Sequence, residues 1–371
     1  MIVGVPKEIK NHEYRVGLIP DSVKELRAYG HDVIVQKGAG EAIGFLDEHY
    51  ALAGAHIVDG VQDVFGDADL IVKVKEPQAE ECQLLRSDQT LFTYLHLAPD
   101  RVQTDALIQS NVTCIAYETV TSSEGKLPLL APMSEVAGRM SIQAAAHYLE
   151  KSQGGRAVLM AGVPGVPSAH IVILGAGVVG SSALKVAVGM GARVTVLDKN
   201  LERLRSLDAI YGNKIHTLYS SLANLERSVI NADAVIGSVL VPGASAPQLV
   251  SKLLVSQMKP GAVIVDVAID QGGCFETSVP TTHHEPTYVI DEVIHYCVAN
   301  MPGAVARTST IALTNATSPF VLSLANKGVI RALKEDGHLL NGLNIYKGSV
   351  TCEAVARAQG LVYIAPETLL C

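Results

Sequence analysis

Four polar residues fall just beyond apolar, strand-like runs of this 371-residue chain. Lys75 follows the run 70–74, His96 follows 91–95, Asp270 lies just past 263–267, and Arg15 sits in the loop after 2–5. In open parallel sheets, ligands collect at the carboxyl ends of strands. An acid–base group, a carboxylate and two cations therefore fall where a small substrate would sit. The chemistry they suit is proton transfer on a carboxylate-bearing molecule. Histidine titrates near neutrality, and a guanidinium fork matches a carboxylate. Each also has a plainer reading: a hydrogen-bonded structural histidine, a surface lysine, an aspartate capping a turn, and a solvated loop arginine beside His12, Glu13 and Tyr14. Lys73 reads as an in-strand neighbour on the same face as Lys75. The spacing of His283-His284-Glu285 is wrong for a helical two-histidine ligand set, so no metal is expected.

A second kind of chemistry is written between residues 170 and 198. The apolar run 171–174 leads into Gly175-Ala176-Gly177-Val178-Val179-Gly180, then an apolar helix, then Val194-Thr195-Val196-Leu197-Asp198. Strand, glycine turn, helix, strand and terminal acid form a dinucleotide-binding pattern. Gly175 allows the tight turn, Gly177 the close approach of a pyrophosphate, and Gly180 the packing of helix on sheet. The helix N-terminus offers N–H groups and a positive dipole end to the phosphates. Asp198 would accept the ribose hydroxyls and disfavours a 2′-phosphate, so NAD is expected over NADP.

The elements that position these residues follow an α/β pattern. Residues 2–5, 32–36, 70–74, 91–95 and 113–116 read as strands. Asp21 is expected to cap a helix that Gly30 stops, and 100–109 reads as another helix. After Pro128 and Pro132 a long helix runs from Ser134 to Lys151. Strands at 194–197, 215–218, 234–237 and 263–267 continue the nucleotide unit. From Thr308 the chain is helical again, with a break expected near Pro319, and the tail (348–370) reads as one helix and a short strand. The expected architecture is two Rossmann-like doubly wound domains. Residues 1–128 and 306–371 form a discontinuous substrate lobe, 129–305 a central NAD-binding domain, and the site lies in an interdomain cleft.

Composition agrees with such an enzyme. Residues are 48% hydrophobic, enough to fill two cores, and 29 basic against 37 acidic side chains leave a net charge of −8. That argues against nucleic acid and anionic membrane as partners. The six cysteines (82, 114, 274, 297, 352 and 371) show neither C-x-x-C nor zinc spacing and read as reduced thiols of a cytoplasmic protein. The N-terminal apolar run is too short for a signal peptide, and no run reaches a membrane span.

With these residues placed, the chain resembles the alanine dehydrogenases over essentially its whole length. The carriers are Gly4-Val5-Pro6-Lys7-Glu8 with Arg15-Val16; Val72-Lys73-Val74-Lys75-Glu76-Pro77; Tyr94-Leu95-His96-Leu97-Ala98; Pro132-Met133-Ser134-Glu135-Val136-Ala137-Gly138-Arg139; the glycine turn; Asp266-Val267-Ala268-Ile269-Asp270-Gln271-Gly272-Gly273; and Asn300-Met301-Pro302-Gly303-Ala304-Val305. The family shares ancestry with the soluble NAD domain of proton-translocating transhydrogenase. One departure is Ala306, where many relatives carry proline; it affects loop stiffness and no role. The resemblance implies NAD-dependent, reversible oxidative deamination of L-alanine to pyruvate and ammonium. It implies that Arg15 and Lys75 hold the substrate carboxylate and carbonyl, that His96 is the general acid–base, and that Asp270 activates water. It further implies dinucleotide contacts from Ser134, Val178, Val179, Asp198, Arg203 and Ser220. Val239, Leu240, Val267, Ala268, Ile269, Asp270, Val298, Ala299, Asn300 and Met301 would surround the nicotinamide half. A homohexamer is the implied assembly. Activity on another small amino or keto acid, a proton-pump component and a regulatory NAD-binding protein are the competing readings.

Overall fold

The computed structural model describes residues 1–239 and 246–370; Leu240 and Cys371 lie outside them. The chain divides into two compact units, Met1–Pro132 with Val305–Cys371, and Met133–Ala304. Both crossings fall at the start of a long helix, Ala131–Tyr148 and Ala306–Lys327. Among the described residues, no helix is long and apolar enough to cross a membrane.

Strands are numbered along the chain. The first unit is an eight-stranded sheet in the order β15-β14-β6-β5-β4-β1-β2-β3. Six strands run parallel: β1 (Ile2–Val5), β2 (Asp32–Gln36), β3 (His56–Val58), β4 (Leu70–Val72), β5 (Thr90–Thr93) and β6 (Thr113–Ala116). Returning chain adds β14 (Leu343–Tyr346), antiparallel to β6, and at the edge β15 (Ser349–Val350), antiparallel to β14. Strands β4, β5 and β6 are buried throughout, as helices on both faces of a parallel sheet require. Strand order reverses between β1 and β4.

The second unit is a seven-stranded sheet in the order β12-β13-β11-β10-β7-β8-β9. Its parallel strands are β7 (His170–Leu174), β8 (Arg193–Asp198), β9 (Ile215–Tyr219), β10 (Ala234–Gly237), β11 (Val263–Asp266) and β13 (Val293–Tyr296), with β12 (Thr287–Ile290) antiparallel at one edge. Alternate residues fill opposite cores. Ile171, Ile173, Val194 and Ile236 join one hydrophobic cluster, and Val172, Leu174, Leu197 and Val235 the other. The order reverses between β7 and β10, the doubly wound arrangement expected from the glycine turn.

Several local expectations are corrected. The first helix is Pro20–Ala28, capped by Ile19 without a side-chain bond; Pro20 starts it, and Asp21 sits in its first turn. The long helix begins at Ala131, not Ser134, and ends at Tyr148. Pro319 lies inside an unbroken helix, and the chain breaks instead at Gly328, whose φ is +75°. Strands β4 and β5 stop at Val72 and Thr93, because the apolar residues beyond them, Val74 and Leu95, are buried in the loops of the site rather than in the sheet. In the tail, strands β14 and β15 precede the helices Glu353–Gln359 and Pro366–Leu369.

Candidate active site

In the first unit, Arg15, Lys75 and His96 all lie past the carboxyl ends of three adjacent strands, β1, β4 and β5, at the reversal of strand order. Gly17 brings the β1 loop close, since a Cβ there would overlap the carbonyl of Val72. Arg15 is no solvated loop charge. It is 3% exposed and grips Glu13 with two bonds, Nε to Oε1 at 2.6 Å and Nη2 to Oε2 at 2.5 Å. Burial works against ionised Glu13, but hydrogen bonds and charge from Arg15, with Lys75 adding to them, hold its pKa below the ordinary carboxylate value. Lys75 is half-buried and close enough to act on Glu13. Lys73 differs from it: its ammonium is fully buried between Glu8 and Glu81.

His96 is exposed, with a left-handed backbone at φ +49°. Few residues other than glycine adopt that region, although histidine does so more readily than most, and local bonds hold it here. The holder is Glu118, which follows β6: its Oε1 accepts the N–H of His96 at 2.6 Å and that of Leu95 at 3.2 Å. The Tyr94 ring lies 5.7 Å from the imidazole, and its hydroxyl donates to the Leu129 carbonyl at 2.5 Å. Sequence alone assigns no role to Glu8, Glu118 or Thr93. A lysine inside an apolar run, Val72-Lys73-Val74, is the one signal that buried carboxylates must be near. A cavity of about 270 Å³ reaches Glu8, Glu13 and Arg15, without Lys75 or His96 in its lining. A larger one, about 680 Å³, lies between Gln78 and Gln109 and touches none of the four candidate residues. Charge and strand-end position, rather than cavity size, therefore mark this edge.

In the second unit the candidate dinucleotide segments share one sheet edge. Gly175 takes φ +100°, and a Cβ on Gly180 would overlap its carbonyl, so strand and helix meet with no room for a side chain. The helix Val178–Gly189 is capped by Gly177, and a Cβ there would meet the Arg203 guanidinium at 3.4 Å. Val178 is exposed in the first turn and Val179 buried. Open helix N–H groups beside a guanidinium suit a pyrophosphate. Half-buried Asp198 ends β8. Its Oδ2 accepts the N–H of Ala176 at 2.6 Å and its Oδ1 that of Asn200 at 2.7 Å, leaving further lone pairs on each oxygen for hydroxyl donors. The Ser220 N–H donates to the Asp198 carbonyl at 3.0 Å.

Val239 follows β10 and lies against Gly175. Val267, Ala268, Ile269 and exposed Asp270 follow β11, the last two in the 3₁₀ turn Ile269–Gln271. Val298, Ala299, Asn300 and Met301 follow β13. Ser134 is half-buried in the first turn of Ala131–Tyr148. Asp270 thus belongs to the second sheet, whereas His96 belongs to the first. His283 bonds the Asn300 carbonyl at 2.7 Å, and among the described residues no group of His, Cys, Asp or Glu could hold a metal ion. Two residues that sequence did not single out organise this edge. Ser238 Oγ donates to the carbonyls of Leu174 (2.7 Å) and Gly175 (3.1 Å). Asp266, fully buried, accepts from Ala268 N, Cys274 N and Ser278 Oγ, and burial raises its pKa despite those bonds.

Two Rossmann-like sheets, one edged with glycines and a terminal acid and the other with buried ions and a histidine, define a dinucleotide-linked oxidoreductase. The comparisons narrow the class. Residues 4–137 match the N-terminal domain of the Alanine dehydrogenase/PNT family and residues 141–353 its C-terminal domain, so the chain belongs to that family. It is 58% identical to an alanine dehydrogenase of Halomonas elongata over 370 residues, covering all of both chains. Among solved structures it is similar to an L-alanine dehydrogenase, with TM-score 0.94 and 51% identity over 97% of this chain and 99% of that one. A transhydrogenase from Sinorhizobium meliloti follows at TM-score 0.81 and 25% identity, over 95% and 100%.

Proposed function

We propose that this chain catalyses the NAD-dependent, reversible oxidative deamination of L-alanine to pyruvate and ammonium. The observation that carries the reading is the placement of Arg15, Lys75 and His96 around one strand-order reversal, in a chain that aligns end to end with alanine dehydrogenases. NAD, when bound, would supply the acceptor for the hydride on Cα of alanine. Gly175, Gly177, Val178, Val179 and Gly180 hold its phosphates, and Asp198, Arg203, Ser220 and Ser134 its ribose and adenosine portions. Val239, Val267, Ala268, Ile269, Asp270, Val298, Ala299, Asn300 and Met301 surround the nicotinamide.

Arg15 and Lys75 hold the substrate carboxylate and the oxygen that becomes the pyruvate carbonyl. Loss of hydride from Cα leaves an imine. His96 takes a proton from water as it adds to that imine, and returns it to nitrogen so that ammonia leaves the carbinolamine. Asp270 orients that water and takes the carbinolamine hydroxyl proton as the C–N bond breaks and the carbonyl forms. In reverse, Lys75 offsets charge developing on the carbonyl oxygen. Initial rates with NAD across a panel of L-amino acids test this: alanine is expected to lead. Serine or glycine in its place overturns the substrate, and no amino-acid-dependent NADH formation overturns the enzyme.

The assembly is a homohexamer, a reading supported by the family resemblance; light scattering on the eluting protein would show six chains per particle. The location is cytoplasmic, supported by the described cysteines, all of them free thiols. Cell fractionation tests it.

A further inference from the structure

Lys73 stands two residues before Lys75 and is completely buried. An ammonium there is costly unless paired and hydrogen-bonded. Its Nζ donates to Glu8 Oε2 at 3.2 Å and to Glu81 Oε1 at 2.7 Å. Burial opposes the charge on Lys73, but the two carboxylates outweigh it and raise the lysine pKa. Glu8 is also pushed upward, by burial first and by Glu81 and Glu13 after it, because two carboxylates share one ammonium. No step of the proposed reaction uses these three groups.

The remaining oxygens point to their use. Glu8 Oε1 accepts the N–H of Val74 at 2.7 Å and that of Lys75 at 3.3 Å. Glu81 Oε2 accepts the N–H of Gln78 at 2.8 Å, at the start of the short helix Ala79–Cys82. Thr93 Oγ1 donates to the Lys75 carbonyl at 2.9 Å. Strand β4 has already ended at Val72, and the backbone bonds that continue toward β5 are long, Lys73 N to Phe92 O at 3.2 Å and Tyr94 N to Val74 O at 3.3 Å. The segment carrying Lys75 is therefore held on its N–H side by a buried carboxylate and on its C=O side by a buried hydroxyl. An apolar trio of similar volume would serve stability at least as well. What the ions add is a fixed acceptor at one place.

We propose that Glu8, anchored by Lys73 and Glu81, and Thr93 are positioning residues for Lys75: together they fix its peptide and thereby aim its ammonium at the substrate. This rests on the reading of Lys75 as a substrate-binding cation. A binding cation acts only from the right place, so a clamp that fixes the peptide of Lys75 matters to substrate affinity even though it touches no substrate.

Two triple variants isolate the acceptor. Glu8→Gln/Lys73→Met/Glu81→Gln removes all three charges and keeps an oxygen for the Lys75 N–H; Glu8→Leu/Lys73→Met/Glu81→Gln removes that oxygen too. Expected is a pyruvate KM about ten-fold higher in the leucine variant than in the glutamine variant, with kcat changed less and with equal NADH affinity and melting temperature. Equal pyruvate KM in the two overturns the proposal. If the leucine variant does not fold, Thr93→Val decides: a several-fold rise in pyruvate KM at unaltered NADH affinity is expected, and the wild-type KM overturns it. Lys75→Ala separates the two readings. Wild-type kcat/KM in Lys75→Ala brings down the role of Lys75 and the clamp together. Lost activity there, with equal triple variants, brings down the clamp alone.

Discussion

At the strand-order reversal between β1 and β4 the chain places ions; at the one between β7 and β10 it places glycines. The topology is the same, and the means of holding the edge differ. The first edge is fixed by charge: Arg15 on Glu13 and Lys73 between Glu8 and Glu81, all buried, with half-buried Glu118 on the backbone of His96. The second is fixed by backbone and small groups: Gly180 against Gly175, Ser238 on two carbonyls, Asp198 and Asp266 on peptide N–H groups. The contrast fits the ligands proposed for the two edges. A pyrophosphate is met by many peptide dipoles at once, none of which needs a particular side chain. A three-carbon acid offers few atoms, so each contact must be strong and placed, and strong contacts need charges kept out of water.

The largest expected effect tests whether the first edge holds the chemistry. His96→Ala should lower kcat by about 10³-fold, within the range of general acid–base catalysis, with NADH affinity nearly intact by fluorescence titration. A loss of only a few-fold removes His96 from the mechanism.

Next, Arg15→Met takes the guanidinium from buried Glu13 and should cost roughly 3–5 kcal/mol of unfolding free energy by denaturant titration, along with pyruvate binding. Asp198→Ala on the second edge should weaken NADH binding about ten-fold or more, erode the preference over NADPH and leave stability closer to wild type. Equal destabilisation by the two variants would break the contrast between a charged and a backbone-built edge.

Acid titration sharpens it further. The folded Glu13 pKa lies below its ordinary 4.5, so the stability it contributes is full above that value and is lost as pH falls through the folded pKa. The folded Asp266 pKa lies above its ordinary 3.8, so its contribution has the opposite slope: stability falls as pH rises from 3.8 through the raised value. Glu13→Gln should flatten the first dependence and Asp266→Asn the second, read from denaturation midpoints between pH 3 and 7. The smallest effect is Ser238→Ala, about 1 kcal/mol of stability and a few-fold weaker NADH binding, as neutral hydrogen bonds are individually modest. No change in either quantity would remove Ser238 as a support of the glycine turn.

Much of this was legible in order along the chain. The strands 2–5, 32–36, 113–116 and 234–237 are found where apolar, β-branched runs put them, because burial on both faces of a parallel sheet leaves nothing else to write there. The glycine turn was equally plain, since Gly175 and Gly180 answer a steric demand that no other residue meets. Pro319 misled: a helix of 22 residues, buried along one side, outlasts the bond one proline removes. Antiparallel β14 was missed because its partner, β6, lies more than two hundred residues away, and the two-residue β15 pairs only with β14.

The sequence by itself determined the fold class and the coenzyme turn, and it put Arg15, Lys75, His96 and Asp198 at strand ends, because each of these rests on local spacing. Only the tertiary structure decided that Arg15 is buried on Glu13, that Lys73 is a different lysine from Lys75, and that Glu8 and Glu118 grip the backbone of the residues beside them. Those facts depend on which strands lie side by side, and a carboxylate's burial is set by neighbours distant in the chain. One charged side chain therefore looks like another until the sheet is assembled around it.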